Sequence, residues 1–283
     1  MSNTMHRLAG QTVVYGISTV LVKLLNYILV PYLTRVMGQV AYGIYTQIYA
    51  FIPLALVVLT MGLESGYFRF AGKAGNETAK KGVFATAWGI VTAASLLFFA
   101  LAAIFNRQLA DAMGYGETPA YVWMTAGIIA LDSIGAVPFA RLREQGRAGK
   151  YVMLRLVSVI VNLALCFFFY GWLPSLAANG IFEWAYDPML GPGYALLANL
   201  VASAVTLLLL LALCGGVVPR IDRRLARALP SHSLPSPLTG HPSTVRQFIS
   251  APLLCSSITG LAHHHSLQLG TSPASTPLTG ALP

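Results

Sequence analysis

Six long apolar runs fill most of the chain up to Cys214, and each is long enough to cross a lipid bilayer. Backbone polar groups in hydrocarbon must be paired within their own segment, so these runs are predicted to be helices. Only 10% of the residues are charged, whereas a soluble domain carries about 25%. The sequence therefore predicts an all-α, polytopic membrane protein with a six-helix transmembrane bundle. The predicted helices cover Gln11–Thr34, Ala41–Tyr67, Gly82–Phe105, Pro119–Ala140, Tyr151–Leu173 and Tyr194–Cys214.

Positive charges lie mainly on one side of these predicted spans. Arg35 and Arg107 are the two basic residues on one side, and fourteen lie on the other. Cytoplasmic loops carry the excess of Lys and Arg, so a multi-pass protein with its N-terminus in the cytoplasm is predicted. This arrangement explains the net charge of +9 without a nucleic-acid partner. The fourteen are Arg7, Arg69, Lys73, Lys80, Lys81, Arg141, Arg143, Arg147, Lys150, Arg155, Arg220, Arg223, Arg224 and Arg227.

The composition changes after residue 228. Residues 229–283 hold eight of the 16 prolines and a single charged residue, Arg246, and the string PLTG occurs twice. A six-span lobe over 1–228 is therefore predicted to be followed by a tail that is disordered or translated out of frame. The tail contains three consecutive histidines, His263–His265, but no acidic or cysteine ligand lies close to them, so no metal site and no cofactor are expected.

Ionisable and polar side chains inside the spans are the candidate functional residues, because they are costly in hydrocarbon. Lys23 lies near the middle of the first predicted helix, and Asn26 and Tyr27 follow three and four positions later on the same face. These three side chains suit an anionic headgroup in a water-filled cavity. Alternatively, Lys23 extends to the membrane interface or pairs with a carboxylate from another helix.

Two acidic residues fall within the spans as well. Glu64 and Asp132 could pair with Lys23, couple transport to H⁺ or Na⁺, or form structural ion pairs between helices. The sequence contains none of the common phosphate-loop, zinc-protease or serine-hydrolase motifs, and no histidine lies in the predicted spans. No catalytic residue and no enzymatic activity are therefore predicted.

Three stretches together carry a family resemblance. They are Leu8–Phe51, with LTRVMG and YGIYTQ, Met61–Phe70, with the sequence MGLESGYFRF, and Ala130–Leu163, with its basic loop. As a set they resemble bacterial polysaccharide flippases, which export lipid-linked oligosaccharides and belong to the multidrug/oligosaccharidyl-lipid/polysaccharide exporter superfamily. The resemblance implies a protein of the bacterial inner membrane that moves an undecaprenyl-diphosphate-linked glycan from the inner to the outer leaflet.

The resemblance also implies site residues and a partner. Lys23 would meet the diphosphate, and Glu64 and Arg69 would belong to the matching GLESGYFRF motif. Such flippases are similar in having two lobes around a central cavity, whereas this chain has one, so a truncated form, a second lobe or a homodimer is expected. A multidrug or cation antiporter, with Glu64 and Asp132 as ion sites, and an inactive fragment or scaffold are the alternatives.

Overall fold

The structure is a computed structural model of the chain, and it describes residues 2–60, 62–116, 118–180, 187 and 190–214. Side chains are described from Val20 onward, with the exception of Lys23. The predicted tail and its His263–His265 cluster lie outside the described residues. The helices are α1 (Ser2–Thr60), α2 (Leu63–Lys73), α3 (Glu77–Ile104), α4 (Asn106–Ala112), α5 (Ala120–Glu144), α6 (Ala148–Phe167), a π-helical turn (Phe168–Trp172), α7 (Leu173–Ala178) and α8 (Gly193–Leu213).

Five segments of the described chain are apolar and long enough to span a membrane, which makes this a multi-pass membrane protein. The first of these segments contains two predicted spans, because α1 consists of two helices joined across a kink at Gly38. Gly38 has φ 78° and ψ 168°, outside the helical region, and glycine adopts such a conformation without a Cβ clash. The predicted all-α membrane bundle is confirmed. The five segments are Val20–Lys73, Glu77–Ile104, Ala120–Glu144, Ala148–Ala178 and Gly193–Leu213.

The second predicted helix, Ala41–Tyr67, is not continuous. Its first part ends at Thr60, and α2 begins at Leu63, directly after Gly62 with φ 66°. A left-handed residue interrupts the helical hydrogen-bond ladder, and here the glycine also starts the next helix. The break separates Glu64 and Arg69, both on α2, from the long apolar helix before them.

Helix α5 is the most buried of the spanning segments and packs against α3, α8, α1 and α2. Small residues allow this close packing. At Gly127, a Cβ atom would come within 2.9 Å of Leu200 on α8 and 3.6 Å of Phe99 on α3. Helices α3 and α8 are therefore held directly against the α5 backbone.

Pro138 lies inside α5 and removes one backbone hydrogen bond of that helix. Proline has no N–H, so the carbonyl of Ile134, four residues earlier, loses its usual helical donor. The indole Nε1 of Trp88 on α3 donates to this carbonyl oxygen at 3.2 Å. In membranes, neighbouring helices often supply a missing partner in this way. This bond fixes α3 against α5 at the level of the proline.

Candidate functional site

Charged side chains collect where α2, the first turns of α3 and α6 and the last turn of α5 meet, and we call this region the basic end. The shortest ion pair joins α2 to α5, with Nη2 of Arg143 at 2.8 Å from Oε2 of Glu64. The same guanidinium lies 5.6 Å from the ring centroid of Phe68 and 5.9 Å from that of Tyr151. Glu64 is thus paired with an arginine of another helix, and α2 is tied to the bundle.

A second ionic contact at the basic end joins α3 to α5. Lys80 Nζ lies 3.2 Å from Oε1 of Glu144 and 3.5 Å from Oε1 of Glu77, so one ammonium bridges two carboxylates. Tyr67 on α2 hydrogen-bonds to Glu144 as well. Helices α2 and α3 therefore converge on the end of α5, where polar contacts close this end of the lobe.

The guanidinium groups at the end of α5 retain unused hydrogen-bonding capacity. Arg141 stacks over the ring of Phe84 at 4.4 Å, and its Nη1 is buried without a hydrogen-bond partner among the described residues. The Nε of Arg143 is also buried and has no hydrogen-bond partner among the described residues. Their positive charge lies directly under the surface of the basic end.

Asp132 lies in the middle of α5, between neighbouring helices. Ser203 on α8 lies close to its carboxylate, and Arg155 on α6 lies within electrostatic reach. Arg155 in turn lies 4.6 Å from the ring centroid of Phe139, the residue directly after the proline. An acid and a hydroxyl therefore lie together where α5 meets α8, and the guanidinium of an exposed arginine on α6 acts on the acid electrostatically.

The predicted cavity residues occupy a different part of the lobe. Asn26 and Tyr27 lie on α1 before the Gly38 kink, and both are exposed, Tyr27 to 74%. One and two turns further along the same helix, Leu29 and Leu33 are buried against the bundle. The side chain of Lys23 lies outside the described residues. The two polar side chains thus lie beside exposed apolar ones, Leu24 and Ile28, on a part of α1 that the described lobe does not cover.

The structure brings few of the predicted site residues together. Arg69 is exposed on α2, and the partner of Glu64 is Arg143 rather than Arg69. Asp132 associates with Ser203 and Arg155 and does not meet Glu64 in an ion pair. The predicted set therefore divides into an exposed α1 face and two separate acid sites.

Among residues 20–214 as described, no group of three His, Cys, Asp or Glu side chains could hold a metal ion. Cys166 is buried and Cys214 is partly buried, and both are free thiols. Burial raises the pKa of the Cys214 thiol, so the neutral form predominates at neutral pH.

Comparison with known proteins places the chain in a family. A family profile described as "polysaccharide biosynthesis protein" matches residues 8–217, which include almost the whole described bundle. The chain belongs to this family. Membership in the polysaccharide biosynthesis family confirms the resemblance carried by the three sequence stretches. No curated protein and no solved structure gives a significant match.

Sequence reasoning missed the partners of both acids in this polysaccharide biosynthesis protein. In the sequence, Arg143 and Arg155 served only to predict the membrane topology, and Ser203 was not identified as a candidate site residue. The glutamate and its arginine are 79 positions apart, so no local spacing could have joined them. The available signal was chemical: an acid inside an apolar span needs a partner, and these arginines flank the spans nearest to it.

Proposed function

We propose that this chain forms one lobe of a flippase that moves an undecaprenyl-diphosphate-linked polysaccharide precursor from the inner to the outer leaflet. The exposed polar face of α1 carries the proposal. Asn26 and Tyr27 lie within a membrane-spanning segment and are exposed, although Leu29 and Leu33, further along the same helix, are buried against the bundle. A polar face at this depth is costly against lipid and stable against a water-filled cavity.

In this proposal, the α1 face is one wall of the transport pathway. Lys23 supplies the positive charge that meets the diphosphate, and Asn26 and Tyr27 offer hydrogen bonds to phosphate or sugar oxygens. Arg69 lies exposed at the basic end, which we assign to the cytoplasm, and it meets the substrate on entry. The opposite wall comes from a second lobe or a second copy of this chain, since alternating access needs two halves.

Ion coupling is assigned to Asp132. The carboxylate lies between α5, α6 and α8, where protonation or Na⁺ binding would weaken its attraction to Arg155. Because the three contributing helices pack side by side, this change would alter how they pack. Glu64 is given the structural role, because its pair with Arg143 lies at the end of the lobe.

The test uses a bacterium that carries this gene and displays the glycan at its surface. The chromosomal copy is deleted and replaced by variants. Lys23→Ala is expected to reduce surface glycan at least tenfold and to cause lipid-linked precursor to accumulate inside, with unchanged membrane levels of the protein. Lys81→Ala, which removes an exposed lysine outside the α1 face, is the matched control and retains export.

Two results would overturn the proposal. One is normal export by the Lys23→Ala variant at equal protein level. The other is export of cationic dyes that depends on Asp132 and persists without lipid-linked glycan, which identifies a cation antiporter instead. Failure of the deletion strain to lose surface glycan at all would assign the chain to a scaffold role.

A further inference from the structure

A large apolar pocket opens between α1, α3, α4 and α5 at the end of the bundle opposite the basic end. Its volume is about 540 Å³. The walls come from α1 after the Gly38 kink, from the last turns of α3 and from the first turns of α5, and α4 covers one end. Nothing in the proposed transport pathway uses this pocket, because the polar α1 face lies before the kink.

On its α5 side, the pocket offers almost nothing to a water molecule. The polar lining residues on α5 are Tyr121 and Thr125. The Thr125 hydroxyl donates to the Tyr121 carbonyl at 2.7 Å, and the Tyr121 hydroxyl donates to the Leu190 carbonyl at 3.0 Å. Both hydroxyl protons are thus already used. Water in a cavity needs two to four polar partners, so it would be poorly held here.

An empty pocket of this size is unfavourable as well, because the lining atoms lose their dispersion contacts. The rim is open to the surroundings, since Phe51, Leu101 and Phe105 are all about half exposed. The helices that carry these residues are spanning segments, and the medium around them is lipid hydrocarbon. A lipid chain can therefore enter from the side and replace the missing contacts.

The volume indicates how much of such a chain the pocket can hold. A methylene group takes up about as much space as a water molecule, ~30 Å³, so 540 Å³ holds on the order of 18 such groups. This corresponds to one acyl chain of an ordinary phospholipid. An undecaprenyl chain is about three times larger and would leave most of its length outside.

Polar groups lie where the headgroup of such a lipid would be. Leu109 in α4 and Met113 directly after α4 line the pocket while Arg107 in α4 is exposed, which is the pattern of a short interfacial helix. The chain then turns back, with the Tyr115 amide donating to the Ala110 carbonyl at 2.7 Å. This turn brings Tyr115 to the pocket wall.

The Tyr115 hydroxyl is buried and has no hydrogen-bond partner among the described residues. Burial raises the pKa of Tyr115, so the group keeps its proton and acts as a donor. A buried donor without an acceptor is costly, and a lipid ester or phosphate oxygen would supply the acceptor. This observation is independent of the apolar walls, and it points to a ligand with oxygen atoms at one end of a hydrocarbon chain.

We propose that the pocket binds one acyl chain of a membrane phospholipid, with Tyr115 and Arg107 at the headgroup end. The bound lipid fills the space between α1, α3 and α5 and completes the packing at this end of the lobe. The proposal does not depend on which substrate the protein transports.

The test is native mass spectrometry of the full chain, purified in detergent, delipidated and titrated with palmitoyl-oleoyl phosphatidylethanolamine. Ala102→Phe places a ring in the pocket from α3, and Ala103→Phe places the same ring on the exposed side of that helix. The wild type and Ala103→Phe are expected to bind one phospholipid tightly, and Ala102→Phe at least tenfold more weakly. Tyr115→Phe is expected to bind several-fold more weakly, because it loses only the hydroxyl.

Ala55→Leu fills the pocket from α1 and serves as a second variant if Ala102→Phe fails to fold. Equal phospholipid binding by the wild type and by a folded pocket-filling variant would overturn the proposal. Displacement of the phospholipid by equimolar undecaprenyl phosphate would also overturn it and assign the pocket to the carrier lipid. A dimer that the pocket-filling variants dissociate would show that a second copy occupies the pocket instead.

Discussion

The bond from Trp88 to the Ile134 carbonyl should stabilise the protein only because Pro138 has removed that carbonyl's helical donor. The indole Nε1 donates at 3.2 Å across α3 and α5, and the Trp88 side chain is only 4% exposed. Trp88→Phe removes the donor and keeps an aromatic ring against Phe84, whose centroid is 5.5 Å away. Pro138→Ala restores an N–H that can serve the same carbonyl within α5.

The loss in free energy of unfolding caused by Trp88→Phe should differ between the wild type and the Pro138→Ala variant. Hydrogen bonds between membrane helices contribute about 0.6 kcal/mol on average and up to about 1.7 kcal/mol. The smaller ring leaves unfilled volume that adds roughly 1 kcal/mol. We therefore expect Trp88→Phe to lower the free energy of unfolding by about 1.5–2.5 kcal/mol in the wild type. With alanine at position 138, only the volume contribution of roughly 1 kcal/mol remains.

The assay is reversible unfolding by sodium dodecyl sulfate in mixed micelles, followed by circular dichroism for the four members of the double-mutant cycle. Trp123→Phe is the control. Trp123 lies on α5, the helix that contains Pro138, but it is 38% exposed and is not the donor to the Ile134 carbonyl. Its small effect should be the same in both backgrounds. If the cost of Trp88→Phe differs between backgrounds by less than about 0.3 kcal/mol, the tryptophan does not compensate for the proline and the reasoning is wrong.

Two further predictions concern the basic end. A double-mutant cycle of Glu64→Gln and Arg143→Gln, measured by the same unfolding assay, should give a coupling energy of about 0.5–1 kcal/mol. The energy is small because both partners of the 2.8 Å ion pair are partly exposed. A coupling energy near zero would show that this pair does not stabilise the packing of α2 against α5. Asn76→Ala should cost about 1 kcal/mol, because the Asn76 side chain accepts from the Ala79 amide at 2.7 Å as the N-cap of α3. Asn76→Asp, which keeps an acceptor, should cost little.

Apolar length predicted the helices well, because one-dimensional hydropathy decides which segments can enter a membrane. The sequence did not indicate that Gly62 would separate α2 from the helix before it, since both sides of that glycine read as one apolar run. Local patterns are also silent on partners far apart in the chain. Pro138 predicts a carbonyl without a donor, but only the packed bundle brings Trp88, 46 residues away, to it.

The polar groups inside the spans fall into two classes, and the division bears on the function. Glu64 and Asp132 have partners within the lobe, Arg143 for the first and Ser203 with Arg155 for the second. Their cost in the membrane is therefore met by the lobe itself. Asn26 and Tyr27 are exposed on α1 instead, where the described part of the lobe does not cover them. In the proposed function, a substrate pathway closed by a second lobe or a second copy would cover these two polar side chains.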